Sequence, residues 1–219
     1  VATPLGAGDE ASVRSLAMPG VTVSSGTLVP DWPSVRIDDV SAGRTATEHL
    51  LQLGHRRIAH ISGDPTDELA FTTHIDRRRG YRAALRAAGL PADPALDIET
   101  QFTVSGGSQA TEELLRRGSP PTAIFAACDE MAMGAMATLR QAGLRVPDDV
   151  SVIGIDDHAL AAAVGLTTIA QPAAEQGRLA TAIILGRLDR PTTDDNGGKT
   201  VILPTRLVVR ESTGPPRAN

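Results

Sequence analysis

The chain has 219 residues, with 21 basic against 26 acidic side chains for a formal charge of −5, and aromatic residues make up only 2%. That balance leaves no basic stripe to neutralise phosphates and few rings to stack on bases, so these residues are not expected to grip nucleic acid by themselves. The 41% apolar content is spread along the chain, which excludes a disordered tail; no apolar run approaches the roughly 20 residues that span a bilayer, and the lone Cys128 excludes both an internal disulfide framework and a cysteine-rich zinc site.

Val1 opens the chain with neither an initiator Met nor a signal peptide, and the sequence reads as a fragment. Gly6–Ala11 (GAGDEA) matches a loose GxGxxA dinucleotide pattern. Pro4 shortens the strand before it, however, and Asp9 and Glu10 would set two carboxylates against a pyrophosphate, so a plain loop-to-helix turn is the better reading. Val21–Ser24 and Ser34–Ile37 are short β-rich runs. Ala42–Leu53 predicts a helix with Ala42, Ala46, Leu50 and Leu53 on one face and Gly54 as its stop. Arg57–Ile61 is a strand ending at the turn signal Ser62-Gly63-Asp64-Pro65.

Tyr81, Ala84, Leu85 and Ala88 mark the next helix, closed by Gly89; Ile98–Phe102 is a weak strand, followed by a helix over about 108–117. Thr122–Ala127 is a strand, Asp129 is placed to cap a helix through Ala142, and Val150–Ile155 is the next strand. Thr167–Ala170 is extended, Ala173–Leu188 is helical by its apolar spacing, and the polar, Gly-rich stretch 189–199 is a loop. Val201–Leu203 and Arg206–Val209 close the chain as β. Such alternation implies right-handed crossovers and a mostly parallel, doubly covered sheet, so the fold class is α/β.

Local catalytic signatures are missing. Neither Gly-x-Ser-x-Gly nor a Walker loop occurs, and His49, His55, His60, His74 and His158 form no ligand pair such as HExxH, so the histidines read as satisfied structural groups and no metal or cofactor is expected. Cys128 lies before a helix N-terminus, where a thiol pKa can fall, but no histidine neighbours it in sequence. What remains are polar residues at the carboxyl ends of strands, where open parallel sheets bind ligands. These are Cys128 and Asp129, Asp156 and Asp157, and Phe102, with Arg77 on the approach to the Tyr81 helix. A carboxylate, a guanidinium and an aromatic face suit a polyhydroxylated ligand. Spacing alone does not separate that reading from one in which Asp129 and Asp157 are caps and Arg77 is a solvated charge.

Five ordered blocks resemble the LacI/GalR family of transcriptional regulators. They are Thr45–Ala59 (TATEHLLQLGHRRIA), Asp76–Leu85 (DRRRGYRAAL), Ala126–Ala135 (AACDEMAMGA), Gly143–Asp157 (GLRVPDDVSVIGIDD) and Leu166–Pro172 (LTTIAQP), with Leu207–Thr213 completing the pattern. The resemblance covers essentially the whole chain. It implies a periplasmic-binding-protein-like fold of two α/β lobes, with 1–62 and 172–190 in a partial N-terminal lobe, 63–170 and 200–213 in the C-terminal lobe, and crossings near Ser62–Asp64, Ile169–Gln171 and the 190–200 loop. It also implies that Arg77 and Asp156 contact the effector, that Phe102 stacks on it, and that Cys128 stands where Asn or Ser is commoner and makes that corner less polar.

The resemblance further implies a cytoplasmic, non-enzymatic sensor of a small polar molecule, with carbohydrate favoured and a purine second. The sensor would work as a homodimer, with operator DNA held by a helix-turn-helix domain absent from this chain and no membrane partner. The alternatives are an exported solute-binding protein of a sugar importer, or an enzyme using Asp156, Asp157 or Cys128. Replacing Arg77 or Asp156 by Ala is expected to abolish effector binding and leave the fold intact.

Overall fold

The computed structural model describes residues 19–24, 29, 32–64, 73–118, 120–189 and 198–217; the GAGDEA pattern and most of the polar 189–199 stretch lie outside them. Among the described residues the chain divides into two compact units, one running through Asp38 and over Gln171–Thr205, the other over Asp39–Asp64, His74–Ala170 and from Arg206 onward.

In the larger unit, β3 (Ile58–Gly63), β4 (Asp97–Thr100), β5 (Ala123–Ala126), β6 (Ser151–Asp156), β7 (Thr167–Ala170) and β9 (Arg206–Val208) form one sheet in the order β4-β3-β5-β6-β7-β9. All pairings are parallel except β7 with β9. Successive strand residues point to opposite faces. On one face Ala59, Ile61, Ile124, Ala126 and Val152 join the core built with α3 (Val104–Arg116) and α4 (Asp129–Gln141). On the other, His60 stacks between Tyr81 of α2 (Thr73–Ala87) and Phe125, and the Tyr81 hydroxyl donates to the Ile58 carbonyl at 2.8 Å. Helix α1 (Asp39–Gln52) lies against β5, β6 and β7. Helices on both faces of a mostly parallel sheet are the α/β class read from the alternation.

Glycines let these helices cross closely. A Cβ on Gly43 of α1 would lie 2.2 Å from the Arg77 carbonyl oxygen, and one on Gly80 of α2 would lie 2.1 Å from that of Val40. The pair α3–α4 repeats the device, with Gly107 facing the Met131 carbonyl at 2.1 Å and Gly134 facing that of Val104 at 2.0 Å.

The smaller unit holds β1 (Thr22–Val23), β2 (Ser34–Ile37) and β8 (Thr200–Leu203), all parallel in the order β1-β2-β8, with α5 (Ala173–Asp189) against β1 and β2. Within it the Ser24 hydroxyl donates to Gln176 Oε1 at 2.6 Å.

The units divide the chain differently from the expected lobes. The first boundary falls at Asp38, not 62, because β3 ladders with β4 and β5 and α1 packs on the same sheet. Strand β8, expected with the C-terminal lobe, pairs with β2 instead, and the last boundary falls after Thr205 rather than in the 190–200 loop. The division also breaks after Asp64 and after Ala170.

Element starts shift for local reasons. Helix α3 begins four residues ahead of the expected Ser108 because Thr103 caps it, accepting from the Gly106 N–H at 3.1 Å. Strand β4 ends at Thr100, so Phe102 lies in the bend before that cap rather than on a strand. Asp129 is no cap: Cys128 holds the cap position and Asp129 is the first helical residue.

Candidate functional site

In the larger unit β4 and β5 lie on opposite sides of β3. The crossover from β3 to β4 and that from β5 to β6 therefore run in opposite directions, and the carboxyl ends of β3, β5 and β6 border the crevice where open parallel sheets place ligands. Arg77, Cys128 and Asp156 gather there.

Arg77 is 4% exposed, so it is not a solvated charge. The Gly43–Gly80 crossing brings α2 onto the start of α1, and Arg77 Nε donates to Asp39 Oδ1 at 2.8 Å. Its Nη1 donates to the Ala127 carbonyl at 2.6 Å and stands 3.6 Å from Asp156 Oδ1. Burial alone would lower the guanidinium pKa; the charges of Asp156 and Asp39 outweigh it and the net direction is up. One cation thus faces two carboxylates.

Asp156 ends β6 with φ +136° and Asp157 follows at +56°, a left-handed backbone that costs a non-glycine residue roughly 1–3 kcal/mol when sparsely populated. Three attachments hold it. Asp157 Oδ1 accepts from Arg210 Nη2 at 2.6 Å, the Asp157 N–H donates to Thr168 Oγ1 at 3.3 Å, and the His158 N–H donates to Asp129 Oδ2 at 2.8 Å. Asp129 Oδ1 in turn accepts from the Thr168 hydroxyl at 2.6 Å. Burial pushes the Asp129 carboxyl up to about 6 despite those two bonds. Asp129 therefore anchors the turn that carries Asp156.

Cys128 is 3% exposed, and burial, with Asp156 adding to it, pushes its thiol up to about 12. The helix N-terminus does not make it a thiolate; it is a neutral, nearly apolar lining group. Phe102 is half-buried and lies on Gly63, where an added Cβ would sit 3.0 Å from the ring. Its ring meets that of His74 at a centroid distance of 6.3 Å.

Two participants have no motif in the sequence. Asp39 pairs with Arg77 across 38 residues. His74, one turn before Arg77 on α2, is 3% exposed, and among the described residues neither ring nitrogen has a hydrogen-bond partner, which corrects its reading as a satisfied histidine. Starting the helix near Tyr81 hid the i, i+3 relation to Arg77; a helix begun at Thr73 displays it. His55 does satisfy both nitrogens, on Thr122, Ser151 and the Gly214 carbonyl. Among the described residues no three His, Cys, Asp or Glu side chains group as metal ligands, and no helix is long and apolar enough to cross a membrane.

The sheet and its polar carboxyl edge define a periplasmic binding protein-like domain, and the profile of that family matches residues 47–213. The transcriptional regulator DegA of Bacillus subtilis is 44% identical over 207 residues, covering 93% of this chain and 58% of DegA. A LacI family regulator from Enterococcus faecium, solved with bound ribose, superposes with a TM-score of 0.82 at 32% identity, over 94% of this chain and 75% of that one. The regulator CelR in complex with cellobiose superposes at 0.79 and 30% identity, over 94% and 71%. The chain belongs to the LacI/GalR family of transcriptional regulators, of which it carries the effector domain. It spans a little over half the length of the curated relatives it matches.

Proposed function

We propose that this chain is the effector-sensing domain of a cytoplasmic, DNA-binding transcriptional regulator. It binds a small polar molecule, with a sugar favoured, and passes the binding energy to operator affinity. The observation that carries the reading is the cluster of buried Arg77 and Asp39 with part-exposed Asp156 at the carboxyl edge of the sheet, a fork of donors between acceptors suited to adjacent hydroxyls. Arg77, Asp156, Phe102 and Cys128 are the proposed effector contacts. The ribose and cellobiose complexes of its relatives support a sugar.

A regulator of this kind acts as a homodimer whose two arrangements bind effector with different affinity; operator DNA is contacted by a helix-turn-helix segment outside this chain. No reaction is catalysed: the thiol is neutral, and the carboxylates serve as hydrogen-bond acceptors and as an anchor. Thermal denaturation against neutral sugars, polyols and nucleobases tests the reading. A sugar at a hundred times its Kd adds about 2.7 kcal/mol of stability. Stabilisation by nucleobases and by no sugar would replace the sugar with a purine.

A further inference from the structure

The His74 ring sits beside the proposed effector contact Phe102, with both nitrogens buried and unmatched among the described residues. His49, His55 and His60 each find at least one partner for the ring, so the fold satisfies its other buried imidazoles at least in part. An unmatched buried polar group is costly and calls for an explanation. The seat is also built. Gly63 closes the end of β3 under the ring, and an added Cβ there would lie 2.9 Å from His74 Cγ and 3.0 Å from Phe102 Cδ2.

We propose that His74 is a specificity-determining side chain of this site, its two ring nitrogens exchanging hydrogen bonds with adjacent hydroxyls of an uncharged polyhydroxyl effector. Burial holds the imidazole below its ordinary pKa, with Arg77 and Arg78 lowering it further and Glu99 and Asp64 opposing. The ring is therefore neutral near pH 7 and offers one donor and one acceptor. A hydroxyl can answer both, since it donates and accepts. A phosphate or carboxylate group placed there only accepts, so it would leave the acceptor nitrogen unmatched and add charge beside Glu99 and Asp64.

The inference rests on the effector-site reading above, and calorimetry separates the two. The 219-residue chain and its His74→Phe and His74→Gln variants are titrated at pH 7.5 with D-ribose, D-glucose and cellobiose, and with ribose 5-phosphate and glucose 6-phosphate. The expected result is a neutral sugar that binds the wild type more tightly than either phosphorylated sugar and binds His74→Phe at least about tenfold more weakly. His74→Gln recovers part of the loss. Without ligand, His74→Phe melts no lower than wild type, because a ring of similar shape replaces one with unmatched nitrogens. A neutral sugar bound equally by wild type and His74→Phe, or a tighter phosphorylated sugar, overturns the inference alone; no sugar bound by wild type overturns the site reading and the inference together. Should His74→Phe fail to fold, ¹⁵N NMR of the wild-type imidazoles decides, and His74 resonances unmoved by a bound sugar contradict the proposal.

Discussion

Removing the Arg77 side chain should unsettle the fold as well as the site. Arg77 is 4% exposed and its Nε lies 2.8 Å from Asp39, itself 9% exposed. Breaking a buried pair by deleting one partner costs about 3–5 kcal/mol, because the remaining charge stays buried without compensation. Arg77→Met also strips the Ala127 carbonyl of its 2.6 Å donor. At about 2–4 °C per kcal/mol for a domain of this size, the melting temperature should fall by roughly 6–20 °C. Asp39→Leu should cost a similar amount. The double variant Arg77→Met/Asp39→Leu should be clearly less destabilised than the sum of the two, since neither charge is left alone. Far-UV circular dichroism is the suitable probe; the single tryptophan, Trp32, lies in the smaller unit and reports the wrong one. A single variant within about 1 kcal/mol of wild type, or strict additivity in the double, would refute the argument. The expectation that Arg77→Ala leaves the fold intact is replaced by this one.

Asp129 sets a pH dependence with a definite sign. Its folded pKa, about 6, lies above the ordinary 3.8, so the stability it contributes is complete below about pH 3.8 and is lost as pH rises through 6, by at most about 3 kcal/mol. Melting curves of Asp129→Asn should lack that fall between pH 4 and 7; parallel profiles for wild type and variant would contradict it. Cys128 should resist thiol reagents at pH 8 in the native chain, its thiolate fraction being roughly a thousandfold below that of a free thiol. Full labelling should require denaturant, and rapid labelling of the native protein would show the thiol to be accessible.

Much of the larger unit was legible because its signals are local. Short β-rich runs placed β5, β6 and β7, and Gly54 and Gly89 marked helix ends, each with a positive φ. Arg77, Cys128 and Asp156 were readable as strand-end and motif residues. The partners were not. Asp39 and Arg77 meet only because Gly43 and Gly80 let two helices touch, a contact with no periodicity of its own. Asp129 looked like a cap by composition, whereas its carboxylate is drawn inward by Thr168 and the His158 amide, both distant in sequence. The lobe boundaries failed for the same reason: whether β3 and β8 belong to one sheet or the other depends on strand pairing, which sequence order does not reveal.

The most direct test of the account is calorimetric titration of wild type and Asp156→Asn with neutral sugars. Asp156 keeps 29% of its side chain exposed and stands 3.6 Å from Arg77, so the substitution removes an acceptor charge at the site with little demand on the core. The account predicts a neutral sugar that binds wild type and binds Asp156→Asn at least about tenfold more weakly, with melting temperatures close to one another. A sugar bound with unchanged affinity by the variant would contradict it.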